Sequence, residues 1–240
     1  MIEIRNVTMQ FGGVTSIADL SANLDAPTTG LIGPNGAGKT TLLNVFSGFV
    51  KPSFGTILLD GEDLLRVPAV RRAAAGIRRT FQTEQTVGTL SVWDNVAAAQ
   101  DHLPGAKLGR RGEIARLLDY VGIGDRPNRM GSDLNACERR LLEIARCLVG
   151  RPRLVMMDEP GAGLGASESD RLRTVIAGIP VFCGAQVLLV DHDVDLISAV
   201  CRSTLVLDFG RKIAHGPTAE VLADPAVRAA YLGVFEGEAA

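Results

Sequence analysis

Leu31-Ile32-Gly33-Pro34-Asn35-Gly36-Ala37-Gly38-Lys39-Thr40, continuing as Thr41-Leu42-Leu43-Asn44-Val45-Phe46, is the stretch whose reading decides the fold. Gly33 to Thr40 fits the pattern Gly-x-x-x-x-Gly-Lys-Thr of a phosphate loop. It stands where such a loop must stand, between an apolar strand end and a helix start. Gly36 and Gly38 let the backbone curl and bring several N–H groups onto phosphate oxygens. The helix N-terminus adds about half a positive charge at the same place. Lys39 adds a full charge near the β- and γ-phosphates, and the Thr40 hydroxyl is placed to hold Mg²⁺. Gly33, Asn35, Gly36, Ala37, Gly38, Lys39, Thr40 and Thr41 are thus the candidate ATP-binding residues. A Gly-rich turn without a ligand is the competing reading.

Further along the chain, two more apolar strands end in polar groups. Leu154-Val-Met-Met-Asp158-Glu159-Pro160 ends in two acids. Asp158, at the strand end, would reach Mg²⁺ directly or through water. Glu159 would then face the γ-phosphate side, where it could orient or deprotonate the attacking water. Val187-Leu-Leu-Val190-Asp191-His192-Asp193 places His192 where it could touch the γ-phosphate. Alone, each stretch also reads as an ordinary strand with a polar turn; beside a phosphate loop the catalytic reading is preferred.

Strand-like runs recur at Ile2–Thr8, Gly30–Ile32, Thr56–Asp60, Arg153–Asp158, Gln186–Val190 and Ser203–Leu207. Several are short and continuously apolar, as in strands buried on both faces of a mostly parallel sheet. Helical stretches at Lys39–Phe46, Ser167–Ile179 and Val194–Val200 follow three of them, an α/β arrangement with crossover helices. From about Thr83 to Gly150 the pattern changes to helices at Val92–Gln100, Arg111–Tyr120 and Cys137–Val149. Turns at His102–Gly105 and Gly122–Pro127 separate these, and no strand is evident. The expectation is one 240-residue domain with a helical insertion over about 83–150, closing in one or two short helices, Thr218–Gly233, broken at Pro225.

Composition narrows the options. A net charge of -2 and scattered arginines lack the basic stripe of a nucleic-acid binder, so no nucleic-acid partner is expected. The pairs Arg71-Arg72, Arg78-Arg79 and Arg139-Arg140 read as solvated faces. Four cysteines without a Cys-x-x-Cys pair argue against a structural zinc site or a disulfide framework and read as buried small hydrophobes. The N-terminus lacks the apolar core of a signal peptide, and no apolar run approaches the roughly 20 residues of a membrane span. A soluble cytoplasmic chain that meets membranes through a partner is expected.

Taken together, these residues resemble the ATPase subunit of ATP-binding-cassette transporters, over nearly the whole chain. The resemblance implies a P-loop NTPase core with a mostly parallel sheet, an N-terminal antiparallel β part and an inserted helical subdomain. It makes Phe11, in Phe11-Gly12-Gly13, the aromatic that stacks on adenine. Gln82, in Arg79-Thr80-Phe81-Gln82, becomes the glutamine that contacts Mg²⁺ and the attacking water. Asp158 and Glu159 become the metal-binding acid and catalytic base, and His192 the switch histidine. Gly163-Leu164-Gly165 falls in the loop that crosses to a partner subunit. The stretches Gly-Ile-Arg-Arg-Thr-Phe-Gln and Phe-Gly-Gly look most like the subfamily that takes up branched-chain amino acids, with urea, other amides and lipid export as neighbours.

The resemblance further implies ATP and Mg²⁺ as ligands, a second cassette, membrane-spanning permease subunits contacted through about Thr83–Gln100, and a peripheral place on the cytoplasmic face of the membrane. Family dimers sandwich each ATP between one subunit's phosphate loop and the other's signature, commonly Leu-Ser-Gly-Gly-Gln/Glu. The matching segment here is Leu134-Asn135-Ala136-Cys137-Glu138, in which only Leu134 and Glu138 fit. Asn135 can still cap a helix and donate from its amide. The Cys137 side chain is expected to intrude where glycine would let a phosphate approach. Intact groups for its own ATP beside a weakened signature suggest a heterodimer rather than a homodimer. An ATP-gated binding module with little hydrolysis is the alternative.

Overall fold

The computed structural model describes residues 1–101, 103 and 110–232. In chain order the elements are β1 (Ile2–Phe11), β2 (Val14–Leu24), β3 (Thr28–Ile32), α1 (Lys39–Ser47), β4 (Phe54–Leu59), β5 (Glu62–Asp63), α2 (Ala69–Arg72), β6 (Ile77–Arg79), α3 (Val92–Asp101) and α4 (Arg110–Val121). They continue with α5 (Ala136–Cys147), β7 (Leu154–Asp158), α6 (Ala166–Cys183), β8 (Gln186–Val190), α7 (Val194–Val200), β9 (Ser203–Asp208), β10 (Arg211–Pro217), α8 (Thr218–Ala223) and α9 (Pro225–Val227). The class is the expected mixed α/β, with an antiparallel N-terminal sheet and a mostly parallel second sheet. Among the described residues no helix is long and apolar enough to cross a membrane.

The chain divides into two compact units. The first joins Met1–Val70 to the chain from Leu188 onward. Its antiparallel sheet runs β2-β1-β4-β5, and its second sheet contains β10-β9-β3-β8 in that order. β3 pairs parallel with β9, from Thr29 opposite Ser203 to Ile32 opposite Val206. Every residue of β3, Thr28 and Thr29 included, is buried, so the strand shows no alternation of apolar and polar positions. α1 leaves this strand through the phosphate loop and buries Leu42, Leu43, Val45 and Phe46. Gly48, in the left-handed region with φ 76°, ends it by donating to Asn44 and Val45 carbonyls.

The second unit spans Arg71–Val187. β6 pairs parallel with β7, Ile77 opposite Leu154 and Arg79 opposite Met156. α5 packs on α3, α4 and α6, burying Leu141, Leu142, Ile144 and Ala145. Between Thr83 and Gly150 the described residues hold three α-helices, and the extended pairing there is one isolated bridge, Ser91 to Met130.

The structure corrects several boundaries. β2, eleven residues long, was not anticipated. Its buried Ile17 and Leu20 are three apart because the β1–β2 ladder shifts register there and Asp19 takes φ 51°, so the period-two signal breaks. β6 has three residues and β10 is largely exposed, leaving neither with an apolar pattern. α6 runs past Ile179 and carries Pro180 three residues before its end; a proline lacks the N–H for a bond to residue i−4, which is why the sequence reads as a helix end there. At the C-terminus Pro225 starts α9 instead of merely breaking a helix. The turn expected at His102–Gly105 lies, apart from Leu103, outside the described residues, as does Gly233.

Candidate nucleotide site and signature helix

In the first unit, the phosphate loop is set by β3 and held by its neighbours. Gly33 has φ 150°, and a Cβ there would lie 2.0 Å from the Leu207 carbonyl oxygen. The loop therefore rests directly on the β9 backbone, a closeness that a side chain forbids. Ala37 N–H donates to the Pro34 carbonyl at 3.2 Å and the Ala37 carbonyl accepts from Gly210 N–H at 3.0 Å. The buried Lys39 ammonium donates to the Gly33 carbonyl at 2.6 Å and the Pro34 carbonyl at 3.0 Å. It is thus held within the curve of the loop. α1 begins at Gly38 with no side-chain cap and no acidic residue in its first turn. No acidic side chain in that turn offsets the positive dipole end, an arrangement that suits a phosphate.

Asn35, Gly36 and Thr40 are exposed. Thr41 Oγ1 lies 2.9 Å from Ser16 Oγ, which ties α1 to β2. Phe11, the last residue of β1, is 50% exposed and so has a ring face to offer. His192 stands between β8 and α7 in a turn fixed by two carboxylates. Asp191 Oδ1 accepts from Asp193 N–H at 2.9 Å, and Asp193 Oδ1 accepts from Asp195 and Leu196 N–H at 2.8 and 3.0 Å.

In the second unit, β7 delivers Asp158, 2% exposed. Arg79 Nη2 donates to its Oδ2 at 2.8 Å, and the pair is buried. Asp158 N–H donates to Thr80 Oγ1 at 3.4 Å. Asp158 Oδ1 is buried and has no hydrogen-bond partner among the described residues. A buried carboxylate oxygen left open in this way suits a hard cation such as Mg²⁺, so the residues fit that metal. Glu159 follows with φ 52°, in the left-handed region that a non-glycine residue adopts at a cost.

Gln82, three residues beyond Arg79, has an exposed side chain and no regular secondary structure. Its backbone is gripped by α5. Arg140 donates to the Phe81 and Gln82 carbonyls at 3.1 and 3.0 Å. Arg146 donates to the Gln85 carbonyl, and Gln85 N–H to the Glu143 carboxylate. Burial pushes the Glu143 carboxyl up from its ordinary value, against the Gln85 amide and Arg140, which pull it down.

The signature segment opens α5 with a complete capping box. Asn135 Oδ1 accepts from Glu138 N–H at 2.8 Å, and Glu138 Oε2 accepts from Asn135 N–H at 3.0 Å. The Glu138 carboxylate is also paired with Arg126 at 2.7 Å and Arg129 at 3.1 Å, so the acid does not leave its charge bare at the helix end. Asn135 and Ala136 are exposed. Cys137 corrects the expected intrusion: its side chain is 2% exposed and directed at the Glu168 carbonyl, 4.0 Å away. It turns inward, away from the exposed helix end.

The arginine pairs also require correction. Arg72 and Arg140 are buried, and the Arg79 side chain is 7% exposed. Sequence reasoning missed Arg79 and Arg140 because partners of theirs lie far along the chain, Asp158 for Arg79 and the Phe81–Gln82 carbonyls for Arg140; it missed Arg126 and Arg129 because the turn before α5 has to fold before it brings them to Glu138. The available clue was the α5 repeat Glu138, Arg139-Arg140, Glu143, Arg146, in which charge recurs on more than one helix face. Cys137, Cys147 and Cys201 are buried as expected, and Cys183 is partly so.

Comparison with known proteins matches this architecture. The family described as ABC transporter matches residues 19–162, and that described as branched-chain amino acid ATP-binding cassette transporter matches residues 211–236. The high-affinity branched-chain amino acid transport ATP-binding protein BraF of Pseudomonas aeruginosa is 34% identical over 249 residues, covering 97% of this chain and 98% of its own. The lipopolysaccharide export system ATP-binding protein LptB of Escherichia coli is 33% identical over 233 residues, covering 95% of both. A crystal structure of an ATP-binding cassette of an ABC transporter in its ADP conformation superposes with a TM-score of 0.86 at 25% identity, over 97% of this chain and 98% of that one. The chain belongs to the ABC transporter family, as one of its ATP-binding cassettes.

Proposed function

We propose that this chain hydrolyses Mg-ATP to energise uptake of branched-chain amino acids or a closely related small solute, working from the cytoplasmic face of a membrane. The observation that carries the ATPase reading is Asp158: a buried acid at a strand end, one oxygen anchored by Arg79 and the other open, followed at once by Glu159. The solute class rests on likeness to BraF along the whole chain and on the branched-chain match at residues 211–236. That second match favours uptake over the lipopolysaccharide-export alternative.

Each group has a part in the proposed reaction. Phe11 stacks on adenine, and Gly33 to Thr41 wrap the phosphates, with Lys39 countering charge on the β- and γ-groups. Mg²⁺, held by Thr40, Asp158 and Gln82, would neutralise charge on the β- and γ-oxygens. Glu159 accepts a proton from water as it attacks the γ-phosphorus in line, the bond from that phosphorus to the bridging oxygen breaks with its electron pair leaving on ADP, and His192 and Gln82 hold the reacting groups in register. A partner cassette supplies a signature to this ATP, while the helix end formed by Asn135, Ala136, Cys137 and Glu138 is offered to the partner's ATP, with Cys137 contributing its backbone N–H and not its buried side chain. Substitution of the signature serine and glycines here, against an intact own-site set, favours a heterodimer over a homodimer. Thr83–Gln100, within an inserted helical subdomain over about 83–150, meets the permease.

The test has two arms. ATP hydrolysis and binding are measured for the purified chain and for Glu159→Gln, alone and mixed with candidate partner cassettes. Branched-chain amino-acid uptake is measured in cells lacking the chain and complemented with each form. Rescue by the parent and not by Glu159→Gln supports the proposal. Full uptake with Glu159→Gln refutes the catalytic assignment, and hydrolysis at ordinary rates by the chain alone refutes the heterodimer. ATP binding without hydrolysis in every mixture supports a gated binding module instead.

A further inference from the structure

We infer that Arg79 is a positioning residue for the metal-binding acid. Its guanidinium takes Oδ2 of Asp158, so that Oδ1 alone presents to Mg²⁺, and it ties that acid to the loop carrying Gln82. The inference rests on Asp158 being the metal-binding acid.

The geometry is self-consistent within the second unit. Arg79 ends β6 and lies opposite Met156 in the parallel ladder, two residues before Asp158 ends β7. Arg79 Nη2 donates to Asp158 Oδ2 at 2.8 Å, with side chains 7% and 3% exposed. The strand ends are cross-tied a residue further on, since Thr80 N–H donates to the Met156 carbonyl at 2.9 Å and Asp158 N–H to Thr80 Oγ1 at 3.4 Å. The Asp158 carboxylate therefore has little freedom to rotate. One oxygen is occupied by a charged donor and the other is buried and open. Planar guanidinium suits this task better than an ammonium, because its donors have a fixed geometry. The Arg79 guanidinium also sits 5.1 Å from the centre of the Phe81 ring, the residue before Gln82. Arg140 then holds the carbonyls of Phe81 and Gln82. Displacement of the Gln82 loop would accordingly pull on Arg79 and, through it, on the acid. Groups that hydrogen-bond a metal-ligating carboxylate from behind are worth about 10–100-fold in metal affinity.

The test titrates Mn²⁺, followed by its electron paramagnetic resonance signal, onto the ATP complex of the full chain carrying Glu159→Gln. Arg79→Met, Arg79→Lys, Asp158→Asn and the double variant Arg79→Met with Asp158→Asn are compared. ATP binding in the presence of a chelator serves as the control for folding. The expected result is a loss of about 10–100-fold in Mn²⁺ affinity for Arg79→Met, a smaller loss for Arg79→Lys, and no further loss from Arg79→Met once Asp158 is Asn. Metal-free ATP binding stays unchanged. The double variant carries no unpaired buried charge, so it tests the coupling even if Arg79→Met alone folds poorly; in that case Arg79→Lys supplies the single-variant arm. Parent-like or tighter Mn²⁺ binding in the Arg79 variants, or losses that add in the double variant, overturns the inference. If Asp158→Asn itself leaves Mn²⁺ binding unchanged, the metal assignment fails instead, and the two failures are distinct.

Discussion

Two glycines of one motif should respond very differently to a single added methyl group. A Cβ at Gly33 would lie 2.0 Å from the Leu207 carbonyl oxygen and 3.2 Å from the Ala37 Cβ. An ordinary carbon–oxygen contact is about 3.3 Å, so Gly33→Ala must push the loop off β9 by roughly an ångström. Overpacking of this kind costs about 1–3 kcal/mol, and the φ of 150° adds about 1–3 kcal/mol for an L residue. The total, about 2–6 kcal/mol, lowers Tm by about 4–24 °C for a chain of this size. ATP affinity should fall by about 100-fold, since an ångström of misplacement is worth that much at a preorganised site. A Cβ at Gly36 meets nothing within 4 Å, and its φ of 80° is the remaining obstacle. Gly36→Ala should therefore cost only about 1–2 kcal/mol, or about 2–8 °C. Thermal melts and equilibrium binding of a fluorescent ATP analogue compare the two directly. The reasoning fails if Gly33→Ala melts and binds ATP like the parent, or if Gly36→Ala is the more damaged.

Asn135→Ala removes the cap of α5 and should cost about 1 kcal/mol, seen as a lower denaturant midpoint. Asn135→Asp keeps the cap but loses the amide donor; its midpoint should match the parent while hydrolysis by a dimer using this signature falls about 10²–10³-fold, and an unchanged rate would show that the amide takes no part. Arg129→Ala should cost about 1–2 kcal/mol, after discounting for its partial exposure. Part of that cost should vanish in a Glu138→Gln background, the rest belonging to the bond from Arg129 to the Asp133 carbonyl, a coupling that a double-mutant cycle reads directly; strict additivity would mean that Arg129 does not act on Glu138. Burial pushes the thiols of Cys147 and Cys201 up to about 12 from 9.0. These groups hold their protons longer when folded, so their stabilisation is complete below pH 9. It is lost between pH 9 and 12 at up to about 1.4 kcal/mol per pH unit for each thiol. Denaturant midpoints should fall between pH 8 and 10.5, and a thiol reagent at pH 8 should leave both cysteines unmodified until the chain unfolds.

The phosphate loop was legible because its chemistry is local. Glycine placement, Lys39 and the helix start are contiguous, and β7 is buried on both faces, so a continuous apolar run marks it, while Leu31-Ile32 mark the end of β3. The acids at the end of β7 could be read for the same reason. Long-range pairing was not legible. Arg79 looks like half of a basic surface pair until β6 lies beside β7 and brings it to Asp158. β2 was hidden by a register shift, and β10 by an edge position that asks for no apolar face. The Cys137 expectation failed because identity alone does not say which way a first-turn side chain turns. Residue 137 lies on the face of α5 that meets α6, as its contact with Glu168 shows.

Four side-chain bonds from α5 to the backbone of Phe81–Gln85 have a consequence for amide exchange. A segment with neither helix nor strand ordinarily trades its amide protons with water quickly. Here the Gln85 amide is held by a carboxylate on a packed helix, so its proton should exchange slowly and in step with the α5 amides, the loop and helix opening as one cooperative unit. Because the restraint comes from side chains and not from a backbone ladder, one substitution at Glu143 should let the Gln85 amide exchange on its own while α5 stays protected.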